Sequence, residues 1–135
     1  MANPYTFKSG SFVLAAGATA YKGGMMCINT AAVGSVVQGQ PSISTLKKIG
    51  LFTEDNNNSA SGSTSTVMGT LDFEIAGQWF NNATGGSAIT ASGLYGPAYI
   101  VDDNTVGASG SASAGTVWAL DAILGVAVVP SLPFS

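Results

Sequence analysis

The stretch Val67-Met68-Gly69-Thr70-Leu71-Asp72-Phe73-Glu74-Ile75 carries the clearest structural signal in the chain. Val67, Leu71, Phe73 and Ile75 share one parity, and Thr70, Asp72 and Glu74 share the other. A period of two describes a β-strand with one face in a core and one in water. Leu71, Phe73 and Ile75 are therefore expected to be buried and Asp72 and Glu74 solvated, so that Asn and Gln in place of the two carboxylates should leave the fold unchanged. Tyr5 and Phe7 alternate with Thr6 and Lys8 in the same way.

Working outward, further short apolar pieces recur between Gly, Ser and Asn punctuation: Phe12–Leu14, Met25–Ile28, Ser35–Val37, Lys48–Phe52, Ala98–Val101, Val117–Leu120 and Leu124–Val129. Asp102-Asp103-Asn104-Thr105 reads as a hairpin turn, because Asp and Asn tolerate left-handed backbone angles. Asp121-Ala122 is a second turn candidate. No segment shows a capped apolar stripe of helical period, and no fixed internal repeat is visible. The polar stretches 56–65 and 108–115 read as exposed, mobile loops. These features predict one all-β domain over 1–135, a jelly roll or small β-sandwich or barrel with little helix, with short arms at 1–10 and 130–135.

Composition narrows function by what it omits. The chain has no His, no Arg, one Cys and a charged fraction of 8%, against roughly 25% in ordinary soluble domains. Gly, Ala, Ser and Thr make up nearly half of it. Triads and dyads built on His are excluded. Ser-Lys chemistry has only the neighbourhood of Lys8 with Ser9 and Ser11 behind it, in a serine-rich chain. A net charge of −3 argues against a nucleic-acid backbone as partner. Lys47 and Lys48, adjacent on a strand, point to opposite faces. No apolar run approaches the roughly 18–20 residues of a membrane helix. The opening residues lack the basic and apolar regions of a secretion signal.

Candidate sites are correspondingly few. Cys27, within Met25-Met26-Cys27-Ile28, reads as a buried, inert thiol. Asp72 and Glu74, about 6–7 Å apart along a strand, overlap the carboxylate spacing of glycosidases, but the polar face of an amphipathic strand is the favoured reading of the two. Trp79-Phe80 reads as a core anchor at a strand end. Glu54-Asp55-Asn56-Asn57-Asn58 is rich in oxygen ligands yet lacks the glycine and terminal Glu of a calcium loop, Asp102-Asp103 is likewise oxygen-rich, and a solvated turn is the expected state of both. Gly23-Gly24 and Gly85-Gly86 are not phosphate loops, since no Lys-Ser/Thr and helix follow. No catalytic residue, metal site or cofactor is expected.

Several stretches together resemble the small decoration, or cement, proteins of tailed bacteriophage heads. They are Asn3-Pro4-Tyr5-Thr6-Phe7-Lys8-Ser9-Gly10, Ile49-Gly50-Leu51-Phe52-Thr53-Glu54-Asp55, Ala98-Tyr99-Ile100-Val101-Asp102-Asp103-Asn104-Thr105-Val106, and Gly115-Thr116-Val117-Trp118-Ala119-Leu120-Asp121 with Gly125-Val126-Ala127-Val128. The resemblance implies a non-enzymatic virion protein, made in the host bacterial cytoplasm and placed on the outer surface of an icosahedral capsid. It would bridge neighbouring major capsid proteins of the HK97-like fold and stabilise the expanded head. Contact through several points gains avidity, and binding the expanded lattice alone stabilises that lattice.

Apolar residues near both chain ends, Pro4, Tyr5 and Phe7 with Leu132, Pro133 and Phe134, are the expected partner interface. A homo-oligomer is expected, with a dimer favoured because two-fold assemblies are the commonest closed form. Two alternatives remain open: another virion part such as a tail or fibre component, and a small carbohydrate-binding module or glycosidase using Trp79, Trp118, Asp72 and Glu74.

Overall fold

The computed structural model describes residues 10–41, 43–72 and 77–130. Among these residues the chain forms twelve strands: β1 (Gly10–Leu14), β2 (Thr19–Ala20), β3 (Met25–Asn29), β4 (Val36–Gln38), β5 (Leu46–Phe52), β6 (Asn56–Asn57), β7 (Ser65–Leu71), β8 (Gln78–Asn82), β9 (Pro97–Ile100), β10 (Thr105–Gly107), β11 (Ser113–Asp121) and β12 (Gly125–Val129). Two 3-10 turns, Gly85–Ser87 and Ala91–Gly93, interrupt the β8–β9 connection. The protein is all-β, as the period-two pattern implied, and its sheets close into small barrels.

One closed barrel has the strand order β1-β4-β3-β5-β7, and the other β10-β8-β12-β11-β9. Strands β2 and β6 pair as a separate two-residue ribbon. Numbering the five strands of each barrel in chain order shows that the two share one topology. In both, the first strand pairs in parallel with the third. The third then pairs with the second, the second with the fourth, the fourth with the fifth and the fifth with the first, all antiparallel.

The register repeats as well. Phe12 opposite Val67 corresponds to Phe80 opposite Val126. Ile28 opposite Val36 corresponds to Ile100 opposite Val106. Met26 opposite Gly50 corresponds to Ala98 opposite Gly115, and in each case one bulge residue, Ile49 or Ala114, precedes the glycine. Both glycines are required by close approach: a methyl group at Gly50 would overlap the Thr70 carbonyl oxygen, and one at Gly115 the Val129 carbonyl oxygen. The chain is thus a tandem of two equivalent barrels. No fixed period shows in the sequence because the offset differs strand by strand, from Val67 to Val126 in one strand and from Ile28 to Ile100 in another.

The core explains the apolar run at Met25-Met26-Cys27. Met26 packs inside the first barrel with Leu14, Val36, Phe52 and Val67. Met25 and Cys27, on the other face of β3, join the second cluster with Phe80, Ile100, Val106, Val117 and Val126. A strand buried on both faces loses its alternation. Asp102-Asp103 forms the hairpin turn between β9 and β10 but is not simply solvated. The Asp103 carbonyl accepts a hydrogen bond from the Met25 N–H at 2.6 Å, and the turn fills the space beside Gly24 and Gly39 of the first barrel.

Two loop and strand expectations are corrected. The polar stretch 56–65 is tied down rather than loose. Asn58 is buried, and its Nδ2 donates to the carbonyls of Ala15 at 3.0 Å and Ser63 at 2.9 Å. The strand carrying the diagnostic alternation stops at Leu71. Val67 and Gly69 face inward and Met68 outward, but Leu71 and Asp72 are both half-buried. Phe73, Glu74 and Ile75 lie outside the described residues, as do Pro4, Tyr5, Phe7, Leu132, Pro133 and Phe134.

Candidate functional site

Asp72 does not stand in solvent. Its Oδ1 accepts a hydrogen bond from Lys48 Nζ at 2.7 Å, and the two side chains are 15% and 3% exposed. The Lys48 ammonium also sits 5.6 Å from the centroid of the Phe80 ring, so a cation of the first barrel is held against an aromatic of the second. Lys47 and Lys48 do point to opposite faces, with Lys47 in solvent, yet the inward one is neutralised within the fold. The pair lies on a depression of about 750 Å³ also lined by Leu46, Ile49, Leu71 and Ala114. Among the described residues no buried side-chain polar atom lacks a partner. Within this depression Lys48 and Asp72 satisfy each other.

Cys27 is fully buried, and its thiol is pushed up to about 12 by loss of solvation, with the Lys48 charge opposing and the Asp72 charge adding to the shift. The unfolded thiol ionises near its ordinary 9.0. Between these values the unfolded state binds fewer protons, so the stability contributed by the protonated thiol is complete below about 9 and lost as pH rises toward 12. Iodoacetamide at pH 8 should leave native Cys27 unmodified and label it once guanidinium unfolds the chain. The alkaline fall in stability should flatten in Cys27→Ala. Rapid labelling of the native protein would refute the inert reading.

The oxygen-rich turns are engaged internally. Glu54 Oε1 accepts from the Met68 N–H at 2.9 Å and Asp55 Oδ1 from the Lys22 N–H at 2.8 Å. Asp102 Oδ1 accepts from the Asn104 N–H at 2.9 Å. Burial, and secondarily the Asp102 charge, raise the carboxyl of Asp103 above its ordinary range. Among the described residues no group of three or more His, Cys, Asp or Glu could hold a metal ion. No helix there is long and apolar enough to cross a membrane.

What the surface does offer is apolar. On the first barrel a groove of about 330 Å³ is lined by Phe12, Val13, Ile28, Val33, Val36 and Ile49. Val33 is 84% exposed in the β3–β4 connection and Val13 is 45% exposed on β1. On the second barrel Phe80 anchors the core as expected, but its neighbour Trp79 points outward. Trp79 stands opposite Ala127 of β12, which stands opposite Ala119 of β11. A bulge between Val117 and Ala119 places Trp118 beside them. Val117 is buried and Leu120 packs on the core, so the bulge turns both Trp118 and Ala119 outward.

Tyr95 completes this row. Its N–H donates to the Val117 carbonyl at 2.7 Å, and its ring meets Trp118 edge to face with centroids 5.3 Å apart. Tyr95 has a φ of 68°, a left-handed conformation that among the described residues is otherwise confined to glycine. At the tip of the β11–β12 hairpin, Asp121 Oδ2 accepts from the N–H groups of Ile123 at 2.8 Å and Leu124 at 2.7 Å, fixing a turn that presents Ile123 to solvent. Sequence reading took Trp79 with Phe80 as a core anchor, which the outward indole corrects, named Trp79 and Trp118 as sugar-binding residues only in one alternative, and missed Tyr95, whose local signal is the Gly96-Pro97 pair after it.

No protein-family model matches the chain, and searches of curated proteins and of solved structures find no match.

Proposed function

We propose that the protein is a non-catalytic structural component of a tailed-phage virion. It binds the outer surface of an icosahedral capsid across neighbouring major capsid proteins of the HK97-like fold and stabilises the expanded head. The observation that carries this reading is the apolar groove of the first barrel, bordered by the exposed Val33 and Val13. Phe12 and Val13 of β1 form one side of the groove, and Ile28, Val36 and Ile49 of β3, β4 and β5 line the rest. Low overall charge supports contact through apolar side chains and backbone rather than ion pairs. Such an interface gains from a rigid platform, because ordering costs are met on folding and not on binding. The tandem of equivalent barrels also supports attachment to a repeating lattice, where more than one contact per molecule raises effective affinity. A small symmetric oligomer, a dimer first, is part of the same proposal.

The test is cosedimentation with expanded and unexpanded shells assembled from the major capsid protein of the same genome. Saturable binding to the expanded form is expected, little changed between roughly 0.1 and 1 M salt, since exposed charges carry little of it. Val33→Asp should weaken binding by at least about tenfold. Deleting residues 132–135 should leave a folded protein with poorer binding. Absence of shell binding, or a hydrolytic activity in the purified protein, would refute the proposal.

A further inference from the structure

The second barrel carries an aromatic platform that the fold does not require, and the first barrel is the internal control for this statement. The ladder pair Trp79–Ala127 corresponds to Ser11–Met68, so the twin barrel closes with serine where Trp79 stands. Its β5–β7 ladder runs in unbroken register and ends at Phe52, the counterpart of Val117, with no bulge like that of Trp118. Trp79 and Trp118 are 40% and 52% exposed, and Tyr95 is 62% exposed while held at positive φ. Large exposed aromatics, an added bulge and backbone strain coincide on one wall, and each is a feature that concentrates at binding sites.

The shape and charge of this wall define what fits it. The strands that carry Trp79 and Trp118 lie on either side of β12 and its small residue Ala127, two strand spacings or about 9–10 Å apart. Over residues 77–130 the charged side chains are Asp102, Asp103 and Asp121, with no lysine. Nucleic acid and anionic lipid demand cationic partners and are disfavoured. An anion is disfavoured, and a neutral ligand with apolar faces that repeat at about this strand separation fits the two indoles. The pyranose rings of an extended β-linked glycan offer such faces. Their C–H faces are drawn to the negative face of an indole, and alternate rings of such a chain present the same orientation one disaccharide apart. Asn81, exposed two residues beyond Trp79 on the same face of β8, supplies an amide for sugar hydroxyls.

We propose that Trp79, Trp118 and Tyr95 form a binding platform for a neutral, extended β-linked glycan, with one indole beneath every second pyranose ring. The proposal does not rest on the capsid reading. The probes are cellohexaose and chitohexaose in solution, read by indole fluorescence and calorimetry, with insoluble cellulose and chitin in depletion assays. At least one oligosaccharide should bind. Trp79→Ala and Trp118→Ala should each weaken binding about tenfold or more, and the double variant should abolish it. Trp118→Tyr should retain most of the affinity.

Melting temperature should hardly move in these variants, because both indoles lie outside the core. Tyr95→Gly separates ligand binding from folding: it relieves the positive φ, so thermal stability should hold or rise while glycan affinity falls. Val33→Asp, on the first barrel, should leave glycan binding intact. Failure of all four carbohydrates to bind, or binding unaltered in the double variant, would overturn the proposal. So would a double variant that loses capsid-shell binding where no glycan binds, or wild-type adsorption to phosphatidylcholine vesicles alone, since these assign the platform to protein or to membrane.

Discussion

Asp72→Ala is expected to lower the unfolding free energy by about 3–5 kcal/mol, because it leaves the Lys48 ammonium buried without its counter-charge. Lys48 Nζ lies 2.7 Å from Asp72 Oδ1, and its side chain is only 3% exposed. Among the described residues it also lies near Cys27 and the Phe80 ring, neither of which replaces a carboxylate. Asp72→Asn should fall between wild type and Asp72→Ala, since an amide oxygen still accepts a hydrogen bond but carries no charge. The doubly substituted Lys48→Met, Asp72→Leu protein should recover most of the loss or exceed wild type, as apolar replacement of buried pairs does. Urea denaturation of wild type, Lys48→Met, Asp72→Leu and the doubly substituted protein completes a double-mutant cycle. A loss below about 1 kcal/mol in Asp72→Ala would mean the pair behaves as an exposed one.

Gly125→Ala should be nearly as damaging, for a backbone reason. Gly125 opens β12 at a φ of 98°, and a methyl group there would overlap the Phe80 carbonyl oxygen. The strained φ alone costs about 1–3 kcal/mol, and relieving the overlap by shifting β8 from β12 adds a comparable amount. For a chain of this size the melting temperature should drop by roughly 10 °C or more. Gly62→Ala is the control, since no atom lies within 4 Å of its added methyl group and its φ is ordinary. That substitution should be neutral or slightly stabilising through the unfolded chain. Equal melting temperatures for the two variants would refute the argument.

Much of the fold was legible in the residues. Alternation at Val67-Met68-Gly69, the apolar pieces at Met25–Ile28 and Lys48–Phe52, and the turn at Asp102-Asp103-Asn104 all mark elements that form where side-chain parity and turn chemistry place them. Strand signals of this kind are local, because a single strand already sorts its side chains to two faces. Cys27 was also readable as a buried thiol from its apolar neighbours alone. The candidate site was less legible. Asp72 lies on the polar parity of its strand, yet the strand ends just before it, and Lys48 reaches it from a segment 24 positions away in the chain.

The sequence by itself determined an all-β chain poor in charge, without histidine, and punctuated by glycine and asparagine. Those properties follow from composition and period and need no knowledge of which strand meets which. Only the tertiary structure decided that the strands close into two barrels of one topology, because pairing and register are non-local and the offset between equivalent residues varies strand by strand. It alone made β3 a strand buried on both faces, with Met26 inside its own barrel and Cys27 in the shared core. It also turned Trp118 outward through a bulge that exists only opposite Val128 and Ala127. A bulge is a mismatch between two strands, and one strand's residues do not encode it.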